Sequence, residues 1–120
     1  MYTKKIEDDL DCGIRVAMKI FGGKWKLCIL DSINNGIVRP AEIHKNIPGS
    51  TLRVIEMQLA ELLFFGVINK YTADVYPRKS EYELTPLGKS LLPILSQIDK
   101  WGTAHSAFVK ERQSELEENS

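Results

Sequence analysis

Arg53, Arg78 and Lys79 are the side chains in this 120-residue sequence whose chemistry suits a polyanion. A guanidinium presents a planar fork of donors to a guanine edge or a phosphate, whereas an ammonium meets phosphate as a point charge. Arg53 and Arg78 could therefore each meet a base edge or a phosphate, and Lys79 a phosphate. The competing reading for all three is ordinary solvated charge. Lys24 and Lys26 flank Trp25, and they read equally as phosphate contacts or as a solvated rim.

The remaining reactive side chains are few. Cys12 stands just before a helical segment, where thiol chemistry is favoured, but Asp8, Asp9 and Asp11 oppose a thiolate. A redox or electrophile switch at Cys12 and a plain structural cysteine both remain open. Cys28 falls in the most apolar segment and reads as a small buried hydrophobe. His44 and His105 have no cysteine or carboxylate at ligand spacing, so no metal and no cofactor is expected. Trp25 and Trp101 read as core or subunit-interface residues rather than ligand-stacking ones. Catalysis lacks its parts: Gly22-Gly23 does not continue into a phosphate loop, and there is no nucleophile elbow and no H-E-x-x-H.

The composition suits a single soluble domain over residues 1–120, with 43% hydrophobic and 27% charged residues and only two cysteines. Neither a membrane span nor a secretory signal is present, which points to the cytoplasm. Sixteen basic and sixteen acidic residues cancel, but not evenly along the chain. Both ends, residues 1–12 and 101–120, are net acidic, which leaves the centre basic and able to face nucleic acid.

Apolar spacing supplies the elements that must position these groups. Ile14, Ala17, Met18 and Phe21 mark a first helix closed by Gly22-Gly23, and residues 24–35 form a second, buried at the centre. Residues 37–39 could form a short strand before Pro40 opens a brief third helix. Past the Pro48-Gly49 turn, Ser50 or Thr51 can cap a fourth helix with the apolar stripe Leu52, Ile55, Leu59, Leu62 and Leu63. Arg53, Glu56, Met57 and Ala60 occupy its opposite face. Residues 67–72 and 80–84 read as antiparallel strands joined by a loop ending in Arg78-Lys79. Thr85-Pro86 then starts one final helix that continues past Gly102 into the acidic tail.

This order is that of an α+β winged helix-turn-helix, with the fourth helix as the recognition helix and the hairpin as the wing. Several segments strengthen the reading: Gly22-Gly23-Lys24-Trp25-Lys26, the Pro48-Gly49 turn, Leu59-x-Glu61-Leu62, Glu81-Tyr82-x-Leu84-Thr85, and Leu87-Gly88 through Trp101-Gly102. Together they resemble the HxlR-type winged-helix transcriptional regulators of bacteria, and a cysteine at the place of Cys12 is typical of that family. The resemblance implies a homodimeric regulator that binds double-stranded DNA at a palindromic operator, its effector unidentified. Lys24, Lys26, Thr51, Arg53, Glu56, Met57, Arg78 and Lys79 are the implied DNA-facing set. Ile14, Met18, Leu95, Ile98, Trp101 and Phe108, on the flanking N- and C-terminal helices, are the expected dimer contacts, with residues 1–12 as an N-terminal arm and 103–120 as the C-terminal helix and tail. Glu56 and Met57 depart from the small hydroxyl or glutamine common in the family, so its operators do not transfer to this chain. The alternative is a winged-helix protein-interaction module that binds no DNA.

Overall fold

The computed structural model describes residues 10–119, so Ser120 and residues 1–9, most of the expected N-terminal arm, lie outside the described residues. The described residues fall into two compact units, one ending at Lys89 and the other beginning at Ser90. In the first, α1 (Gly13–Phe21), α2 (Lys26–Asn34), α3 (Pro40–Asn46) and α4 (Leu52–Phe64) precede β1 (Ile68–Thr72), β2 (Ser80–Leu84) and the short α5 (Pro86–Lys89). This is the winged helix-turn-helix that the periodicity implies.

Helix α2 is the centre of the first unit, as expected. Ile29, Leu30 and Ile33 are buried together with Ile43 of α3 and Ile55, Leu59 and Leu62 of α4. Each such side chain contributes about 1.5–3 kcal/mol relative to leaving it in water. Polar links fix the helix pairs: the Asn46 amide donates to the buried Ser32 hydroxyl at 2.9 Å, joining α3 to α2. In the turn between α3 and α4, the Ser50 hydroxyl donates to the Ile47 carbonyl at 2.7 Å and meets His44 Nδ1 at 3.1 Å. Gly49 in the same turn has φ +88°, a conformation that penalises any residue with a Cβ.

Three expectations change on contact with the fold. Residues 37–39 form no strand, because only one backbone bond reaches β2: the Tyr82 N–H donates to the Val38 carbonyl at 3.0 Å. The sheet is therefore a two-stranded hairpin, paired from Ile68 with Leu84 to Thr72 with Ser80. The stripe on α4 is narrower than its spacing suggests, since Leu52 and Leu63 are 40% and 38% exposed. At about 100° per residue both stand at one margin of the arc that Ile55, Leu59 and Leu62 bury.

The final helix is likewise two helices. Thr85 caps α5, its hydroxyl accepting from the Gly88 N–H at 3.1 Å and donating to the Gly66 carbonyl at 2.7 Å. A Cβ at Gly88 would collide with the Val67 carbonyl, so α5 can lie this close to the chain leaving α4 only with glycine there. Ser90 and Leu91 form a turn, and Pro93 suits the first turn of a new helix, where its missing N–H is not needed.

The second unit is α6 (Leu92–Glu118), 27 residues of which none is buried. Leu95 is half-buried, while Ile94, Ile98, Trp101, Phe108 and Val109 are exposed. Among the described residues no helix is long and apolar enough to cross a membrane.

Candidate nucleic-acid interface

Helix α4 offers the outward face that a reader of DNA requires. Thr51 is its N-cap, with the hydroxyl oxygen accepting from the Val54 N–H at 3.2 Å, which leaves the hydroxyl proton to donate outward. Thr51, Arg53, Glu56 and Met57 are all exposed, and Ile55, Leu59 and Leu62 on the opposite side are wholly buried. The burial fixes the helix's rotation, and the rotation presents Arg53, Glu56 and Met57 to solvent, with the N-cap Thr51 exposed just ahead of the first turn.

Lys26 does not join them, which corrects its placement as a solvated or phosphate-facing lysine. Its side chain is 8% exposed, and its Nζ lies 3.0 Å from Glu61 Oε1 on α4. The ammonium sits on the buried side of α2 and holds the recognition helix from behind. Lys24 is exposed, with its Nζ 4.8 Å from the centroid of the Trp25 ring. Trp25 is half-buried, and its ring reaches the helix-turn-helix turn, where a Cβ on Gly49 would stand 3.6 Å from it.

The wing carries Arg78 and Lys79 on an exposed loop between β1 and β2. The loop is closed at its base by the Ala73 N–H donating to the Lys79 carbonyl at 3.1 Å and by Thr72 and Ser80, whose hydroxyls meet at 3.1 Å. On the hairpin the Tyr71 hydroxyl donates to Glu83 Oε1 at 2.7 Å; that bond, and then the carboxylate's charge, raise the phenol's pKa above the ordinary 10.0.

Between wing and helices runs an open groove of about 380 Å³, lined by Arg39, Pro40, Ala41, Glu42, Leu52, Glu56, Lys79 and Ser80. Of the expected DNA-facing set it brings Glu56 and Lys79 into one lining, while Lys24, Thr51, Arg53, Met57 and Arg78 stand outside it. Arg39 was not among the expected site residues. Its guanidinium pairs with Glu81 through Nε at 3.0 Å and Nη2 at 2.9 Å, both to Oε2. Nothing in local spacing signals a partner 42 residues away.

The two cysteines part differently from expectation, and neither is in a disulfide. Cys12 is the N-cap residue of α1, half-buried, with no side-chain capping bond. Cys28 is exposed rather than buried. At about 100° per residue it falls outside the arc of α2 that Lys26, Ile29, Leu30, Ser32 and Ile33 bury. On α1, Ile14 and Met18 are 75% and 49% exposed. On α6, Trp101 stacks on His105 with ring centroids 4.2 Å apart, and His105 Nδ1 meets the Trp101 carbonyl at 2.7 Å. No group of three or more His, Cys, Asp or Glu side chains among the described residues could hold a metal ion.

A family model described as HxlR-like helix-turn-helix matches residues 20–113, which takes in the helix-turn-helix and the wing. The chain belongs to the HxlR-like helix-turn-helix family. This regulator is 37% identical over 101 residues to an uncharacterized HTH-type transcriptional regulator of Methanothermobacter thermautotrophicus, covering 84% of this chain and 77% of that one. It is also 37% identical over 91 residues to the uncharacterized HTH-type transcriptional regulator YkvN of Bacillus subtilis, covering 76% of this chain and 77% of the other. Among solved structures it resembles the HTH-type transcriptional regulator ytcD, with a TM-score of 0.75 and 35% identity over 80% of this chain and 98% of that one. It also resembles the redox regulator HypR in its reduced form, with a TM-score of 0.76 and 29% identity over 83% and 99% of the two chains. The HxlR-like chain is thus a transcriptional regulator with a DNA-binding helix-turn-helix.

Proposed function

We propose that the protein is a homodimeric, sequence-specific DNA-binding regulator that works in the cytoplasm by binding rather than catalysis. The observation that carries the reading is the outward face of α4: Thr51, Arg53, Glu56 and Met57 are exposed along a helix pinned by fully buried residues, beside a groove whose far wall is the wing. In this reading α4 enters the major groove, Arg53 meets a guanine edge or phosphate, and Glu56 accepts from a cytosine amino group. Thr51, Lys24 and Lys79 hold phosphates, and Arg78 enters the adjoining minor groove.

Dimerisation supplies the second half-site. Ile94, Ile98, Trp101 and Phe108 recur along α6 at alternating spacings of four and three, with His105 in the same series, and Ile14 and Met18 are exposed on α1. Such a seam suits pairing with a second copy of the chain. Two recognition helices then address a palindrome with half-sites about one helical turn apart. Cys12, at the start of α1, is the candidate entry point for a thiol signal, with a bound small molecule or a purely structural cysteine as the alternatives; the similarity to the redox regulator HypR favours the thiol.

Retention of the full chain on immobilised duplex DNA at low and high salt tests the reading. DNA binding requires retention at low salt and release as salt rises, because phosphate contacts displace counterions. Passage through the DNA column at every salt concentration favours the protein-interaction module.

A further inference from the structure

We propose that Arg39 is a positioning residue for the wing, holding the hairpin at the angle from which Arg78 and Lys79 reach the DNA that α4 reads. The inference rests on the DNA-binding reading above. A two-stranded hairpin is marginal by itself in water, and β1 leaves four of its five residues exposed. The wing therefore takes its direction from what else holds it.

Ile68, Tyr82 and Leu84 anchor the base of the hairpin in the core, and two adjacent residues of the segment between α2 and α3 hold β2 from the side. The Val38 carbonyl accepts from the Tyr82 N–H at 3.0 Å, and Arg39 places Nε and Nη2 at 3.0 and 2.9 Å from Oε2 of Glu81. Tyr82 is buried, and Glu81, its neighbour in the strand, points to the opposite face of the hairpin. The backbone bond sets how close β2 comes, and the ion pair limits how far its outer face can swing from α3, because two donors of one guanidinium converge on a single carboxylate oxygen.

Arg39 is also the N-cap residue of α3, so the residue that grips the wing begins the helix-turn-helix. Together with Lys79 it lines both clefts beside the wing. One of about 310 Å³ also touches Tyr71 and Pro77, and the groove of about 380 Å³ faces Leu52 and Glu56 of α4. The guanidinium forms part of the partition between wing base and recognition helix. Its side chain is 40% exposed and that of Glu81 49%, so the pair adds little to overall stability, and its effect is directional. The rival role is direct: Arg39 leaves Glu81 and contacts phosphate.

The test uses the full chain and a duplex that the wild type selects from random-sequence DNA. Affinity and its salt dependence are measured for Arg39→Ala, Glu81→Gln and the exchange of Arg39→Glu with Glu81→Arg, each with and without Arg78→Ala. Positioning requires both single variants to bind about three- to tenfold more weakly at unchanged thermal stability. Arg78→Ala should then cost less in either background, because a displaced wing no longer delivers Arg78, and the exchange should recover most of the affinity. Tighter binding by Glu81→Gln, with Arg39→Ala alone lowering the log–log salt slope by about 0.9, would show Arg39 on phosphate and overturn the proposal. Unchanged affinity in both single variants would overturn it as well. Should the wild type select no duplex, the DNA-binding reading fails, and hydrogen exchange at the Tyr82 amide still decides the wing's attachment. Faster exchange in Arg39→Ala supports it, and equal protection refutes it.

Discussion

Replacing Glu61 by glutamine should destabilise the first unit more than replacing its partner Lys26 by methionine. Lys26 is buried in α2, its side chain only 8% exposed, and its ammonium depends on a carboxylate 3.0 Å away on α4. Breaking a buried pair from one side leaves an uncompensated charge and typically costs 3–5 kcal/mol. Glu61 is 45% exposed, so water can reach part of the pair and the expected cost of Glu61→Gln falls to about 1–3 kcal/mol. Lys26→Met fills the same volume with an apolar side chain and leaves a half-exposed carboxylate that water solvates, so its cost should stay below about 1 kcal/mol. The double variant should return close to wild type. Urea unfolding followed by circular dichroism reads all three, with midpoints compared at constant slope. Equal losses in the two single variants, or additive losses in the double, would refute the pair as the link between α2 and α4. A lowered salt slope for DNA binding in Lys26→Met would return Lys26 to phosphate.

Truncation after Asp99, or a charged residue in place of Ile98, should shift sedimentation from dimer toward monomer at micromolar concentration; a fully dimeric truncated chain would place the interface elsewhere. Arg78→Ala should weaken operator binding by about 1–3 kcal/mol and lower the salt slope, and an unchanged affinity would remove the wing from the mechanism. Diamide should change operator affinity reversibly in wild type and Cys28→Ser but not in Cys12→Ser; since Cys28 is exposed, an effect lost only in Cys28→Ser would move the switch to α2. The bond from Tyr71 to Glu83 and the carboxylate's charge favour the protonated phenol. What they contribute is present below pH 10.0 and lost as pH rises through the raised value, so Glu83→Gln should bring the phenolate absorbance in at lower pH.

Elements with a strong period were legible in the sequence, and contacts between distant segments were not. The first hairpin strand follows from β-branched and aromatic content, the second from alternation, and the outward Arg53, Glu56 and Met57 from turns of about 100°, all of which depend on neighbours in the chain. Burial on α2 does not, because an all-round apolar segment leaves its contact arc unspecified. Cys28 was therefore placed inside and Lys26 outside, and the fold reverses both. The break between α5 and α6 was signalled by Pro93, but leucines on both sides continue the helical spacing and mask it. Arg39 and Glu81 illustrate the limit: each is an ordinary charge until the chain brings α3 beside β2.

The measurement that bears most directly on the central claim is selection of bound duplexes from random-sequence DNA by the purified full chain. A dimer reading DNA through α4 should enrich a palindrome with half-sites about one helical turn apart, and Arg53→Ala should relax the preference at one position in each half-site. Enrichment of a single unrepeated half-site would contradict the paired recognition helices. Recovery of no preferred sequence would contradict sequence-specific reading by α4.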